Sequence, residues 1–314
     1  MRLSVAQECI GAGMSKKLVL GICRISRSSF YYKARNGRAG RPSPGVTKTR
    51  KGLSINDSKV IEDILELLAG EFVDYGHYKT TVHLRDEKGY VINHKKVYRL
   101  MRENKLLVLN RQPFNTVKRQ WVKDLVPEPQ TEFSYLEFDI KYIYIQGKRA
   151  NAQVLTVLDV FSRWNMGHIV KWNIRQGDVV ALFDTIFESY QLPERFYVRN
   201  DNGSQFVAET VQQYFRDKKV TQEFTKPANP QQNAHIESYH SVMERAVCKR
   251  HELDSLDQAC QTMDRFREFY NFRRIHSGVD YTSPYKFLLK RGIDMKRQHP
   301  EIENIPTNHL EILS

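Results

Sequence analysis

Residues 134–172 read SYLEFDIKYIYIQGKRANAQVLTVLDVFSRWNMGHIVKW, and their pattern decides the fold. Tyr135, Phe138, Ile140, Tyr142, Ile143, Tyr144 and Ile145 are β-branched or aromatic and predict a strand over 134–145. Gln146-Gly147-Lys148 turns the chain. A second strand follows over 152–161 and a third over 164–172. Such short connections make neighbours antiparallel. Asp139 stands in the middle of the first strand, where a carboxylate among apolar residues needs a partner or a metal. Glu137 lies two residues earlier on the same face and competes for the same role. Asp159, ending the second strand, is another competitor.

Downstream the period changes from two to about 3.6. Val179, Leu182, Phe183, Ile186 and Phe187 predict a helix from about Gly177 to Tyr190. Pro193 precedes a short strand from Phe196 to Arg199, which runs into the turn sequence Asp201-Asn202-Gly203. A helix over Ala208 to Lys218 and an edge strand over Val220 to Thr225 come next. Residues 226–249, KPANPQQNAHIESYHSVMERAVCK, begin extended because of Pro227 and Pro230. They then become a helix with Ile236, Tyr239, Val242, Met243, Ala246 and Val247 on its apolar positions. Glu237 falls in its first turns, and Glu244 lies seven residues on, on nearly the same face. A further helix is expected over 255–273, and the residues after Pro284 are uninformative. Three strands by hairpins, then helix, strand, helix, strand and helices, specify an α/β (α+β) fold with a ribonuclease-H-like mixed-sheet core over 134–290. A tail over 291–314 follows it.

Upstream the chain is helical and basic. Residues 1–53 carry twelve Lys and Arg against one acid, Glu8, of a net charge of +13 for all 314 residues. A basic terminus on a near-neutral body fits a polyanion partner, most often nucleic acid, and a merely solvated or membrane-attracted tail is the alternative. Residues 1–33 are expected to hold two short helices capped by Ser15 and Ser26. That helix-turn-helix would present Arg24, Arg27, Ser28 and Lys33 to DNA, with Arg35 just beyond. An ordinary helical hairpin would look the same. Residues 34–53, rich in Gly, Pro and Arg, read as a basic flexible linker. Residues 54–107 form a second helical module, broken at Tyr75-Gly76 and Gly89, whose third helix carries His94, Lys95, Lys96 and Arg99. Those side chains are candidate phosphate or groove contacts, or else a solvated face. Residues 108–133 are a connector.

Cys9, Cys23, Cys248 and Cys260 form no zinc spacing and fit a reducing compartment. There is neither an apolar run of about 18 residues nor a signal-peptide pattern. The expected location is the cytoplasm, at the nucleoid if bacterial.

Asp139 on a strand, Asp201 at a strand end and Glu237 on a helix can converge on divalent cations. Phosphodiester chemistry without an organic cofactor needs an activated nucleophile and charge neutralisation at phosphorus. Two Mg²⁺ ions about 3.5–4 Å apart supply both, and a few carboxylates on rigid elements hold them.

The motifs carry a resemblance. FDIKYI, NDNGSQF and PANPQQNAHIESYHSVMER, with thirty-five residues between Asp201 and Glu237, are similar to the second-frame transposases of the IS-three family of insertion sequences. More broadly they resemble the retroviral-integrase core. Residues 75–107 resemble the family's upstream helical module, and FYNFRRIHSGVDYTSP its tail signature. Leu136 and Phe138 depart from the Trp and Thr frequent at those positions. The resemblance implies a DNA transposase with Asp139, Asp201 and Glu237 as catalytic metal ligands for Mg²⁺ or Mn²⁺, two ions per site. It implies cleavage at element ends, 3′-hydroxyl strand transfer, and a homo-oligomer, at least a dimer, on terminal inverted repeats and target DNA. A first-reading-frame DNA-binding partner or fusion is a further implied partner. Asn202, Gln205, Asn233, His240 and Lys249 are added as substrate contacts near the acids. The competing readings are a non-catalytic DNA-binding regulator and a metal-dependent nuclease that cuts without joining.

Overall fold

The computed structural model describes residues 2–32, 45–107, 129–225 and 230–298. The chain divides into two compact units, Met1–Val46 and Thr47–Ser314. The first holds three helices, α1 (Arg2–Gly11), α2 (Lys16–Ile22) and α3 (Arg27–Tyr31). Helix α1 is one more than the sequence suggested. Ser26 caps α3 through its hydroxyl, which accepts from the Ser29 backbone N–H at 3.1 Å. Ser15 precedes α2 without a side-chain cap bond.

In the second unit, α4 (Asp57–Leu68), α5 (His77–Asp86) and α6 (His94–Glu103) form the helical module. Val60, Ile64, Leu84, Val97, Leu100 and Met101 close a small core between them. The expected linker needs correcting. Its residues Val46–Thr49 (β1) pair with Tyr90–Val91 (β3), and Ser54–Asn56 (β2) lies on β1's other side. The β-branched Val46, Thr47 and Thr49 favour a strand, and Gly52, at φ +80°, makes the turn between β1 and β2.

The central sheet has five strands: β4 (Tyr135–Ile145), β5 (Ala150–Asp159), β6 (Asn165–Lys171), β7 (Tyr197–Asn200) and β8 (Thr221–Phe224). Their order is β6-β5-β4-β7-β8. β4 pairs antiparallel with β5, and β5 with β6, while β4, β7 and β8 run parallel. This is the mixed sheet of a ribonuclease-H-like fold. The period of two along β4 sorts its side chains between two cores. Leu136 and Phe138 point to the side covered by α7 (Gln176–Ser189), α8 (Ser204–Val207) and α9 (Glu209–Asp217). There Phe138 packs edge-on against Phe183 and Phe206, with ring centroids 5.1 and 5.0 Å away. Ile143 and Ile145 point to the other side, covered by α10 (Ala234–Met243) and α11 (Leu256–Glu268).

Both covering helices end in a π turn, Glu244–Cys248 after α10 and Phe269–Arg273 after α11. The segment beyond Pro284 is more structured than expected. Helix α12 (Pro284–Lys290) buries Leu288 in the first core, and Met295, assigned to the tail, is buried there too. No helix among the described residues is long and apolar enough to cross a membrane.

Candidate active site

Glu137, Asp139 and Lys141 share the face of β4 turned towards α10. The Ile236 backbone N–H donates to Glu137 Oε2 at 2.8 Å. His240 Nδ1 lies 3.6 Å from Asp139 Oδ2. Lys141 Nζ lies 3.4 Å from Glu244 Oε2. Every second strand residue therefore meets every fourth helix residue. Two strand residues advance about 6.6 Å and four helical residues about 6.0 Å, so the two spacings stay in register over this length.

That register sets the helix of Glu237 beside Asp139, and the parallel pairing of β4 with β7 brings the strand end of Asp201 to the same region, so that both carboxylates act on Asp139. Asp139 is partly buried, and its Oδ1 accepts from the Ile140 N–H at 2.8 Å. Asp201 follows β7, and its Oδ1 accepts from the Gly203 N–H at 2.8 Å. The turn is tight, because a Cβ on Gly203 would sit 3.0 Å from Asp201 Oδ1. Glu237 is exposed in the first turn of α10, directly after the residue that Glu137 holds. Burial pushes Asp139 up to about 7, and the carboxylates of Asp201 and Glu237 push in the same direction. Burial also raises Glu237. Among the described residues no three His, Cys, Asp or Glu are drawn close enough to hold a metal ion as they stand.

The three competing acids have other work. Glu137 is fully buried, and burial lifts it to about 7 despite the Ile236 N–H and the nearby Arg199 and Arg163. Its place is under the amino end of α10, where backbone N–H groups and the helix dipole favour a carboxylate. Asp159 is fully buried and accepts from Ser162, from both its N–H and its hydroxyl, and from the Phe133 N–H. Glu244 is taken by Lys141.

A second thread holds the same helix end. Arg199, on β7, donates from Nη1 to the Gln232 carbonyl at 3.0 Å and from Nη2 to Glu223 at 2.8 Å. Sequence reasoning missed the roles of Glu137 and Arg199. The i, i+2 spacing of Glu137 and Asp139 was the available signal, because it places both on the helix-covered face.

The predicted DNA contacts scatter. Arg24, Arg27 and Ser28 are exposed on the first unit. Lys33 and Arg35 lie outside the described residues. Lys95 and Lys249 are exposed, and so is Asn202, which donates to the Thr225 carbonyl at 2.8 Å. Gln205 and His94 are half-buried. Four expectations change. Lys96 and Arg99 are paired with Asp57, at 2.5 and 3.1 Å, and so brace the module internally. Asn233 and His240 are buried, so neither presents a DNA-facing surface. Burial drops His240 to about 4, which leaves it neutral beside Asp139.

The helical module is fastened to the core at a junction absent from the sequence reading. Asp74 pairs with the buried Arg274 and, at 3.0 Å, with Arg245. Tyr75 Oη accepts from the Ile275 N–H at 2.9 Å and lies 3.4 Å from the Arg273 carbonyl, to which it donates.

Comparison with known proteins gives three family matches. Residues 129–230 and 218–284 each match an integrase core domain, and residues 55–114 match an HTH-like domain. An insertion element IS407 uncharacterized 31.7 kDa protein of Burkholderia multivorans is 27% identical over 72% of this chain and 82% of its own. An insertion element IS476 uncharacterized 39.2 kDa protein of Xanthomonas euvesicatoria is 29% identical over 87% and 72%. Transposase InsD for insertion element IS2-9 of Escherichia coli is 23% identical over 93% and 94%. Among solved structures, the HTLV-2 integrase catalytic core in complex with magnesium aligns with a TM-score of 0.40 at 10% identity, over 51% of this chain and 99% of that one.

Proposed function

We infer that this chain, which belongs to the integrase-core transposases of insertion sequences, cuts and joins DNA with Asp139, Asp201 and Glu237. One observation carries the assignment. The carboxyl of Asp139 is raised by its own burial and by two further carboxylates that approach it from β7 and α10. A buried carboxylate is kept within reach of other carboxylates, against their repulsion, where a cation is to be drawn between them.

The donor set fits a divalent metal. All three side chains offer hard carboxylate oxygen, the ligand type that Mg²⁺ and Mn²⁺ take. Two ions per site is the occupancy we propose. When bound, such ions neutralise charge on the phosphate and activate the attacking oxygen. The chain's own residues do the positioning. β4 fixes Asp139, the Gly203 turn fixes Asp201, and Glu137 with Arg199 sets the height and direction of the helix carrying Glu237. Neutral His240 backs Asp139 without adding positive charge that would compete with a cation. The reaction we propose is hydrolysis at the element ends to free a 3′-hydroxyl, then attack of that hydroxyl on a second phosphodiester. Terminal inverted repeats and target DNA are the substrates. A homo-oligomer pairs the two ends, and a first-frame product adds end recognition. Such work places the chain in the cytoplasm, on DNA.

A strand-transfer assay with the element's flanking ends tests this. Asp201→Asn and Glu237→Gln are expected to keep end binding and to lose both cleavage and joining in Mg²⁺. Joining by both variants would show that the acids are wrongly assigned. Wild-type release of 3′-hydroxyl ends with no joined product would favour a nuclease instead.

A further inference from the structure

Beside the junction of module and core, aromatic rings gather at the surface. Tyr78, on α5, stacks on His94, at the start of α6, with centroids 4.8 Å apart and planes at 18°. His77 meets Tyr78 at 4.6 Å and Tyr98 at 5.0 Å. Tyr281, from the core, reaches Tyr78 at 6.4 Å. A ring cluster that served packing alone would be covered, yet Tyr78, Tyr98 and Tyr281 are 50%, 41% and 39% exposed.

Two features mark this cluster as built for contact. Asp280 and Tyr281 both have left-handed φ, +55° and +54°, which a tyrosine adopts only under constraint. The strain is held by the His276–Thr282 bridge and the Tyr75 and Asp74 contacts, so rings from module and core lie on one body. Cations flank the rings on α6. The Arg102 guanidinium lies 5.9 Å from the Tyr98 ring, and Lys95 is exposed next to His94. Asp280 is the nearby charge of opposite sign.

We propose that Tyr78, His94, Tyr98 and Tyr281 form a stacking shelf for unpaired bases of a DNA strand. Open ring faces accept bases only when those bases have left the duplex stack, and adjacent Lys and Arg take the phosphates. Duplex DNA presents no such faces to a shelf. The inference rests on the reading that this protein works on DNA, since cutting and joining strands at element ends exposes unpaired nucleotides. It adds a binding site for single-stranded segments to the helical module.

The test uses the full chain without divalent metal and fluorescence anisotropy with three duplexes of one sequence. One is blunt, one carries a six-nucleotide single-stranded tail, and one carries the same tail made abasic. The base-bearing tail is expected to tighten binding about tenfold, the worth of roughly one base on one ring. Tyr78→Ala is expected to remove that gain and leave blunt-duplex binding unchanged, and Tyr78→Phe to retain it. Equal binding of the base-bearing and abasic tails would overturn the shelf and leave only phosphate attraction. A tail gain unchanged in Tyr78→Ala would overturn it as well, including where that variant loses self-association, which would make the rings a contact between copies. Wild-type binding to no duplex at all would sink the DNA reading along with the shelf. Binding to the blunt duplex with no gain from the tail sinks the shelf alone.

Discussion

At the junction of module and core, Asp74 has two guanidinium groups for neighbours. On β4, Asp139 has two carboxylates. Both acids are shielded from water by packed helices, Asp74 where the helical module meets the π turns of the core and Asp139 on the sheet face under α10. Burial alone would raise either one. At Asp74 burial pushes the carboxyl up, but Arg274, Lys79 and Arg245 together outweigh it and hold the group below its usual range. At Asp139 burial is the largest cause, the Ile140 N–H and Lys141 oppose it, and Asp201 and Glu237 add to it, so the group is pushed up to about 7. Buried charge that is compensated fastens a structure. Buried charge whose neighbours repel it destabilises the fold and persists for a function.

The comparison breaks most directly at Asp139. Asp139→Asn removes a repelled charge and keeps the shape, so thermal stability is expected to hold or rise. Cleavage is expected to fall at least about a hundredfold, because metal-type charge stabilisation is worth several kcal/mol of barrier. A variant that lost stability and activity together would place Asp139 with the structural acids. Asp74→Ala should do the opposite. It leaves Arg274, only 1% exposed, without its main counter-charge, at a cost of about 3–5 kcal/mol in denaturant unfolding. A loss under about 1 kcal/mol would mean that water or Tyr75 replaces the carboxylate, against the usual cost of an unpaired buried charge.

Glu137 lies between these cases, buried like Asp74 and on the strand of Asp139. Glu137→Ala strands the Ile236 N–H, which costs about 1–3 kcal/mol. It should also lower the rate of cleavage while DNA affinity stays, because the helix carrying Glu237 loses its tether. Glu137→Gln keeps an acceptor oxygen and is expected to restore most of both. If Gln were as damaging as Ala, the charge and not the bond would be what matters.

These contrasts explain which parts were legible in the sequence. The order of strands and helices was readable because β4 alternates and α7 and α10 repeat at helical spacing, both local patterns. The three acids were flagged as a set by motif and spacing, and the fold sets two of them where they act on the charge of the third. Glu137 and Asp139 looked alike in sequence, since two acids on one strand face differ only in what the covering helix presents to each. That depends on contacts 99 residues apart, such as Ile236 to Glu137. The Asp74–Arg274 pair spans 200 residues and left no periodic trace. The strand β1 hid in a Gly- and Pro-rich stretch because its pairing with β3 is likewise non-local. Lys96 and Arg99 looked like a DNA face because the sequence does not show that Asp57 lies opposite them.

The mildest test of the comparison is a cation at the junction rather than an acid. Lys79 lies 5.6 Å from the Tyr75 ring and is largely buried beside Asp74. Burial pushes its ammonium down from 10.5 to about 7, and Arg274 and Arg245 push the same way, against the pull of Asp74. The unfolded chain therefore binds this proton more tightly than the folded one. Between about pH 7 and 10.5 the folded state holds fewer protons, so this group's penalty shrinks as pH rises and is largest at and below neutrality. Lys79→Met removes the charge and keeps most of the apolar stem. It is expected to raise stability by about 1 kcal/mol at pH 7, less than the full shift implies because Asp74 loses an attraction. The gain should fade towards pH 10, read as the difference in melting temperature between variant and wild type across that range. A gain that stayed constant with pH would mean that Met simply packs better, and that the junction already compensates every charge it buries.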